Sequence, residues 1–272
     1  FIKSTDGGEL TLFGLDQEFQ IGSEGTKLST SITGNKSRPG FTLADLDVKS
    51  ESVTGSISAS HPSIRSRGEN LSLSGNFTYK TSKTNAAGAV LTQDRHRTVN
   101  LGSSYDFVDS WLGINLFSGS VTQGLDIMGA TERDAANISR ARGRSDFTKL
   151  NASALRLQRV LPGFSVLAAA QGQWSAHTLL SAEEFGVGGA QFGRGYDPSE
   201  ITGDHGYSLK IEPQYGNAVD SEYLVDYQVY GFYDFGMVWN TQDTDRESLA
   251  STGFGVRTNI TEWASSFAEM AF

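Results

Sequence analysis

The stretch "YLVDYQVYGFYDFGMVWN", Tyr223 to Asn240, changes side-chain character at nearly every step. Its odd positions are Tyr223, Val225, Tyr227, Val229, Gly231, Tyr233, Phe235, Met237 and Trp239, while its even positions include Asp226, Gln228, Asp234 and Asn240. Successive side chains of a strand point to opposite faces, so this is a long strand with one apolar and one polar face. The segment before it follows the same rule. Tyr207, Leu209, Ile211, Pro213 and Tyr215 share one face, and Ser208, Lys210, Glu212 and Gln214 the other. Leu71, Leu73, Phe77 and Tyr79 form another apolar row, as do Val99, Leu101, Tyr105 and Phe107. In "STGFGVRTN", Thr252, Phe254 and Val256 oppose Ser251, Gly253, Gly255 and Arg257. About a dozen such segments are readable along the chain.

Periodicity of two is shared by a soluble β-sandwich and a transmembrane β-barrel, and alone it leaves both open. Three features favour the barrel. The strands reach or exceed the roughly 9 to 11 residues that cross a bilayer at a tilt. Aromatic residues collect toward strand ends (Tyr223, Trp239, Tyr207, Tyr215, Trp174), as interfacial girdles do. Short connections ("HPSIRSRGE", "DSW") alternate with long ones ("TSKTNAAGAVLTQD", "MGATERDAANISRARGRS" and Phe185–Gly206). A mean hydropathy of −0.31 fits, because half of each strand would face a polar lumen. The fold expected is all-β: an antiparallel transmembrane β-barrel.

Composition narrows the functions available. With no cysteine, thiolate metal sites and thiol catalysis are out. A net charge of −9 leaves no basic stripe for nucleic acid. No run approaches the ~18 apolar residues of a transmembrane helix. The glycine-rich "GVGGAQFGRG" lacks the Lys-Ser/Thr ending of a phosphate loop, and "TERDAANIS" has the wrong spacing for a calcium loop. "GDHG" (Gly203–Gly206) and His177 offer an acid and histidines, but no nucleophile or orienting group at a readable spacing. The reading is not an enzyme, with no metal and no cofactor. Arg65 and Arg67 in "SIRSRGE" read as solvated turn charges.

The loop "FGVGGAQFGRGYDPSEITGDHG" holds seven glycines. Taken alone, Arg194-Gly195-Tyr196 reads as well as an ordinary surface turn. Together with "FYDFG" at Phe232–Gly236, however, it resembles the Arg-Gly-Tyr/Phe loop of the outer-membrane transporters of two-partner secretion, which export haemolysins and filamentous adhesins within the Omp85 superfamily. "SRARGRSDFTK" and "SASHPSIRSRGENLSL" extend the resemblance along nearly the whole chain.

The resemblance implies a sixth external loop folded back into the lumen, with the motif Gly193, Arg194, Gly195 and Tyr196 facing a wall motif of Phe232, Asp234 and Gly236. Asp234 also falls on the polar set of its strand, so the two readings agree there. Gly188, Gly189, Gly193 and Gly195 would supply positive φ and close backbone approach. Lys210, Glu212, Gln214, Asp226 and Gln228 are expected to line the lumen. The resemblance further implies export of a large β-helical partner protein without ATP, in the bacterial outer membrane, with membrane lipid as the other partner and no nucleic acid. Insertion of other barrels into the membrane is the alternative, and a passive porin or surface receptor a third reading. It implies a sixteen-stranded barrel behind periplasmic POTRA domains. Residues 1–272 are therefore expected to be a C-terminal barrel domain lacking those domains, the early strands and the last strand.

Overall fold

A computed structural model describes the whole chain except residues 1, 4–8, 41–45, 220, 222–223, 244 and 262. Tyr223, one of the strand-end aromatics, lies outside the described residues. Among the described residues, thirteen strands form one sheet in which every strand runs antiparallel to its neighbours in the sheet. They are β1 (Ile2–Lys3), β2 (Leu10–Ile21), β3 (Thr26–Ser37), β4 (Lys49–Arg65), β5 (Glu69–Ala86), β6 (Ala89–Val108), β7 (Ile114–Gly124), β8 (Thr148–Leu161), β9 (Phe164–Ser175), β12 (His205–Ala218), β13 (Asp226–Trp239), β14 (Arg246–Thr261) and β15 (Ala264–Ala271). Two short strands, β10 (Phe185–Val187) and β11 (Ile201–Gly203), pair with each other inside the connection from β9 to β12. Among the described residues, β1 and β15 are the two ends of the sheet, with no ladder joining them.

Apart from the edge strands, members of the large sheet run 11 to 20 residues, enough to cross a bilayer. The connections at one end are short: 22–25, 66–68, 109–113 and 162–163. At the other end lie 38–48, 125–147 and 176–204. One long connection expected from sequence is absent. "TSKTNAAGAVLTQD" continues the β5–β6 ladder to Ala86↔Ala89, and only Ala87 and Gly88 turn, with φ of 49° and 80°. The alternation that marks a strand fails there because both faces are polar once the hairpin leaves the apolar layer.

The outer face carries the apolar rows. Leu209, Ile211, Val229, Tyr233 and Phe254 are 44–60 % exposed, and Phe13, Leu15, Ile57 and Leu101 on the far strands are 49–69 % exposed. Side chains this apolar and this uncovered need lipid as their solvent. The interior is correspondingly poor in apolar core. Val187, Val238 and Leu249 form one small cluster with Phe185 and Ile201, and it sits between the loop and the inner wall. That loop touches strands on both sides: Glu183 pairs with Lys149 of β8 at 2.9 Å, and Arg194 pairs with Asp234 of β13. The loop therefore lies across the inner face of the sheet from β8 to β13.

Candidate functional site

The 176–204 connection is seated by the glycines of both partners. Gly236 faces inward on β13, and a Cβ there would stand 2.2 Å from Val187 Cγ1 of β10. The missing side chain is therefore the space the loop strand occupies. Gly193 and Gly195 adopt φ of 90° and 96°, a region costly for any other residue, and this turns the chain so that Arg194 points at the wall. Gly188 and Gly189, at φ 121° and 91°, shape the preceding bend.

Arg194 is 5 % exposed and Asp234 fully buried. Arg194 Nε donates to Asp234 Oδ2 and the Nη2 group to Oδ1, both at 2.9 Å, a bidentate pair. The backbone amides of Gly193 and Arg194 add two donors to Oδ2 at 3.2 Å. The remaining guanidinium nitrogen, Nη1, donates to Glu212 Oε2 at 2.6 Å and Glu269 Oε2 at 3.2 Å. Its carbon lies 3.5 Å from the centroid of Phe232, whose ring stacks beneath the cation. Tyr196 is half-exposed and donates to the Ala250 carbonyl at 3.2 Å. The loop is thus held at a charged centre, an aromatic face and a strand backbone.

The structure brings together the loop motif, Asp234, Phe232 and Gly236, all named from sequence. The expected lumen-lining residues divide. Glu212 and Gln214 are buried, Gln214 Nε2 donating to Glu212 Oε1 at 2.9 Å, and both belong to the network around Arg194. Lys210 is half-buried, its ammonium 5.2 Å from the Phe192 ring centroid. Asp226 and Gln228 border a cleft of about 580 Å³ at the short-connection end. Sequence reasoning missed Glu269, Arg257 and Tyr230. Sequence places Arg257 on the polar face of its strand but gives it no partner. Tyr230, Phe232 and Val238 carried a readable signal: they are apolar at inward positions, where only a covering segment keeps them from water.

A second contact ties the two long connections together above the strands. Arg140 forms ion pairs with Asp204 and Glu184, and donates to Asn240 Oδ1 at 2.7 Å and the Leu179 carbonyl at 3.0 Å. Burial works against ionisation of Asp204, yet the Arg140 guanidinium and the amides of Thr241 and Leu179 hold its carboxyl below the usual carboxylate range. Burial raises the Glu184 carboxyl, opposed by Arg140. The acid of "GDHG" is therefore engaged by an arginine, and the histidine beside it, His205, stacks on Trp239 with centroids 5.4 Å apart.

Comparison with known proteins agrees with this architecture. Among solved structures, CdiB from Escherichia coli aligns with a TM-score of 0.74 at 17% identity, covering 97% of this chain and 53% of that one. CdiB from Acinetobacter baumannii gives 0.71 at 17% identity, covering 92% and 44%. BamA from Haemophilus ducreyi lacking POTRA domains 1–3 gives 0.66 at 10% identity, covering 97% and 58%. At these identities the likeness is one of fold, and the chain spans about half the length of these structures. No curated protein sequence matches it. A family model does match, over residues 19–258, and by it the chain belongs to the haemolysin secretion/activation protein family ShlB/FhaC/HecB.

Proposed function

We propose that this chain is the barrel portion of an outer-membrane translocator that exports one large partner protein, of extended β-helical type, without ATP. The observation that carries this is the family match over residues 19–258. Membership of that family places the chain in the bacterial outer membrane. Transport rather than catalysis is the activity proposed, and the roles given to the loop motif and its wall partners are part of the same proposal.

The mechanism follows from where charge and space lie. Seated, the loop occupies the lumen next to β12 and β13, so transit requires the loop to shift or the cargo to pass on the other side. On that other side a cavity of about 520 Å³ is lined by Ser74, Asn100, Ser118, Ser120, Asn151 and Ser153 among others. Hydroxyls and amides exchange hydrogen bonds with a passing main chain about as readily as water does, with no fixed charge to trap it. The Arg194–Asp234 pair would hold one state of a two-state loop, and weakening it would shift the balance.

Comparing surface and secreted proteins from cells with and without the full-length gene tests the proposal. Loss of a single large exported protein is the expected result and identifies the cargo. A broad decline of many barrel proteins would instead mean that the protein inserts other barrels. No change in either would leave a passive pore or receptor and end the export reading.

A further inference from the structure

The outer face of β2–β5 is not a uniform apolar surface. Ladder pairing sets outward residues in two rows, Leu15, Ile32, Gly55 and Tyr79 in one and Gln17, Thr30, Ile57 and Phe77 in the next. Gly55 leaves a gap in the first row, and a Cβ there would meet no atom within 4 Å. The gap belongs to a groove of about 370 Å³ bordered by Leu15, Ile32, Ile57, Phe77 and Tyr79 among others. A depression between branched and aromatic side chains holds a flexible hydrocarbon chain more closely than a flat strand surface does.

Toward the long connections the same face turns cationic. Arg97 is the ladder partner of Tyr79, Arg95 that of Thr81, and Lys83 that of Gln93. At roughly 3.3 Å per residue, Arg95 lies about 7 Å and Lys83 about 13 Å beyond the Tyr79–Arg97 pair. Arg97 is 1 % exposed, its guanidinium carbon 3.4 Å from the Tyr79 ring centroid. It donates to the carbonyls of Lys80, His96 and Met128, while Nε has no partner. Glu51 stands opposite Lys83 in the ladder, but its carboxylate pairs with Lys36 on the other side at 2.9 Å. On these outward rows four cations, Lys36, Lys83, Arg95 and Arg97, therefore meet one carboxylate, in a chain whose net charge is −9. A buried guanidinium without a counter-charge is costly, and an anion held beside it offsets that cost.

We propose that this face is a binding site for a phosphorylated glycolipid of the external leaflet, with one acyl chain in the Gly55 groove and a phosphate held by Arg95 and Lys83. The long connections mark the external end of such a barrel. Glycolipid bearing phosphates forms the external leaflet of a bacterial outer membrane, and two outward cations without an acid of their own match a phosphate in charge and in hydrogen-bonding capacity. Arg97 is a positioning residue. It carries the Tyr79 ring that walls the groove, and its charge keeps the potential at the phosphate position positive. The site rests on the chain's place in the outer membrane and not on what it exports.

The test uses the full-length protein purified in detergent and offered bisphosphorylated lipid A or phosphatidylglycerol, with the lipid-bound fraction read by native mass spectrometry. The parent should retain lipid A in preference to phosphatidylglycerol. Lys83→Gln combined with Arg95→Gln should cut lipid A retention at least about tenfold. Gly55→Leu, which fills the groove and leaves every charge in place, should also lower it. Lipid A stripped of both phosphates should bind the parent no better than intact lipid A binds the double variant. Arg65→Gln, at the short-connection end, should change nothing. Equal retention by parent and double variant overturns the phosphate site, and unchanged retention by Gly55→Leu overturns the groove. Phosphatidylglycerol held as tightly as lipid A overturns the glycolipid as occupant. The fast-migrating folded band on gels reports whether each variant assembles; should Gly55→Leu fail to do so, the charge variants decide alone. None of these readouts involves export, so failure of the lipid site and failure of the transport reading are separate results.

Discussion

The two inner walls of this sheet are built on the same period of two and differ in almost everything else. On β4–β9 the inward positions at mid-strand include Ser56, Ser58, Ser74, Asn100, Ser118, Ser120, Asn151 and Ser153, with Lys80, Asp94 and Lys149 nearer the long-connection end. The mid-strand residues are short, uncharged groups bordering open space. On β12–β15 the inward positions include Lys210, Glu212, Tyr230, Phe232, Asp234, Val238, Arg257 and Glu269, most of them buried or bonded to one another. The difference is what each wall faces. Water satisfies a hydroxyl at no structural cost, whereas a wall covered by a loop must satisfy its own polar groups and can bury apolar ones. The β12–β15 wall is thus the main docking surface, whereas the loop meets the other wall toward the long-connection end, where Lys149 pairs with Glu183 and Gln173 donates to the Glu183 carbonyl.

The sharpest way to break this contrast is Arg194→Ala. Asp234 would keep two backbone donors but lose its cation while fully buried, so a loss of about 3–5 kcal/mol is expected. A large fall in the temperature at which the folded, fast-migrating band disappears on gels would report it. Asp234→Asn should cost less, because Glu212 and Glu269 still hold the arginine. Equal losses would mean that the three carboxylates do not share it.

Gly236→Ala comes next. The new methyl would strike Val187, and overpacking of this kind costs about 1–3 kcal/mol. Val187→Ala in the same chain should recover most of the loss in the same assay; no recovery would mean that the glycine serves the strand rather than the loop. On the opposite wall, Ser153→Ala removes one exposed hydroxyl bond to Ser118 (2.7 Å) and should change stability by no more than about 0.5 kcal/mol. A loss comparable to that of Gly236→Ala would erase the distinction between the walls.

The smallest effect belongs to the short 109–113 turn. Hydrogen bonds from Arg156, together with those from Gly113, Asn115 and Trp111, bring the Asp109 carboxyl down to about 2 from 3.8. A carboxyl lowered in the folded state contributes stability that is present above 3.8 and lost as pH falls toward 2. Acid unfolding of Asp109→Asn should therefore lack a shallow component in that window that the parent shows. Identical profiles for the two chains would remove Asp109 from the account.

Much of this was legible beforehand, for identifiable reasons. β12 and β13 show their faces in sequence because lipid on one side and the lumen on the other impose opposite chemistry on alternate residues. Arg194, Asp234, Phe232 and Gly236 were named because two separated motifs resemble one family pattern. The β5–β6 hairpin beyond residue 80 reads from sequence as a loop and is a ladder in the structure, since a strand polar on both faces gives no alternation. Glu269 and Arg257 were missed for a different cause. Each is a single charge on an inward position, and nothing local distinguishes a solvated charge from a bonded one.

Sequence by itself determined the strands, their faces and the unusual glycine content of one connection, because these follow from the local contrast between lipid, water and backbone geometry. Tertiary structure alone decided which charges meet. Arg194 reaches Asp234, Glu212 and Glu269 across 40, 18 and 75 residues of chain. Such a centre exists only when the sheet and a loop laid across its inner face bring them within hydrogen-bond distance, in a place dry enough for the pairing to matter.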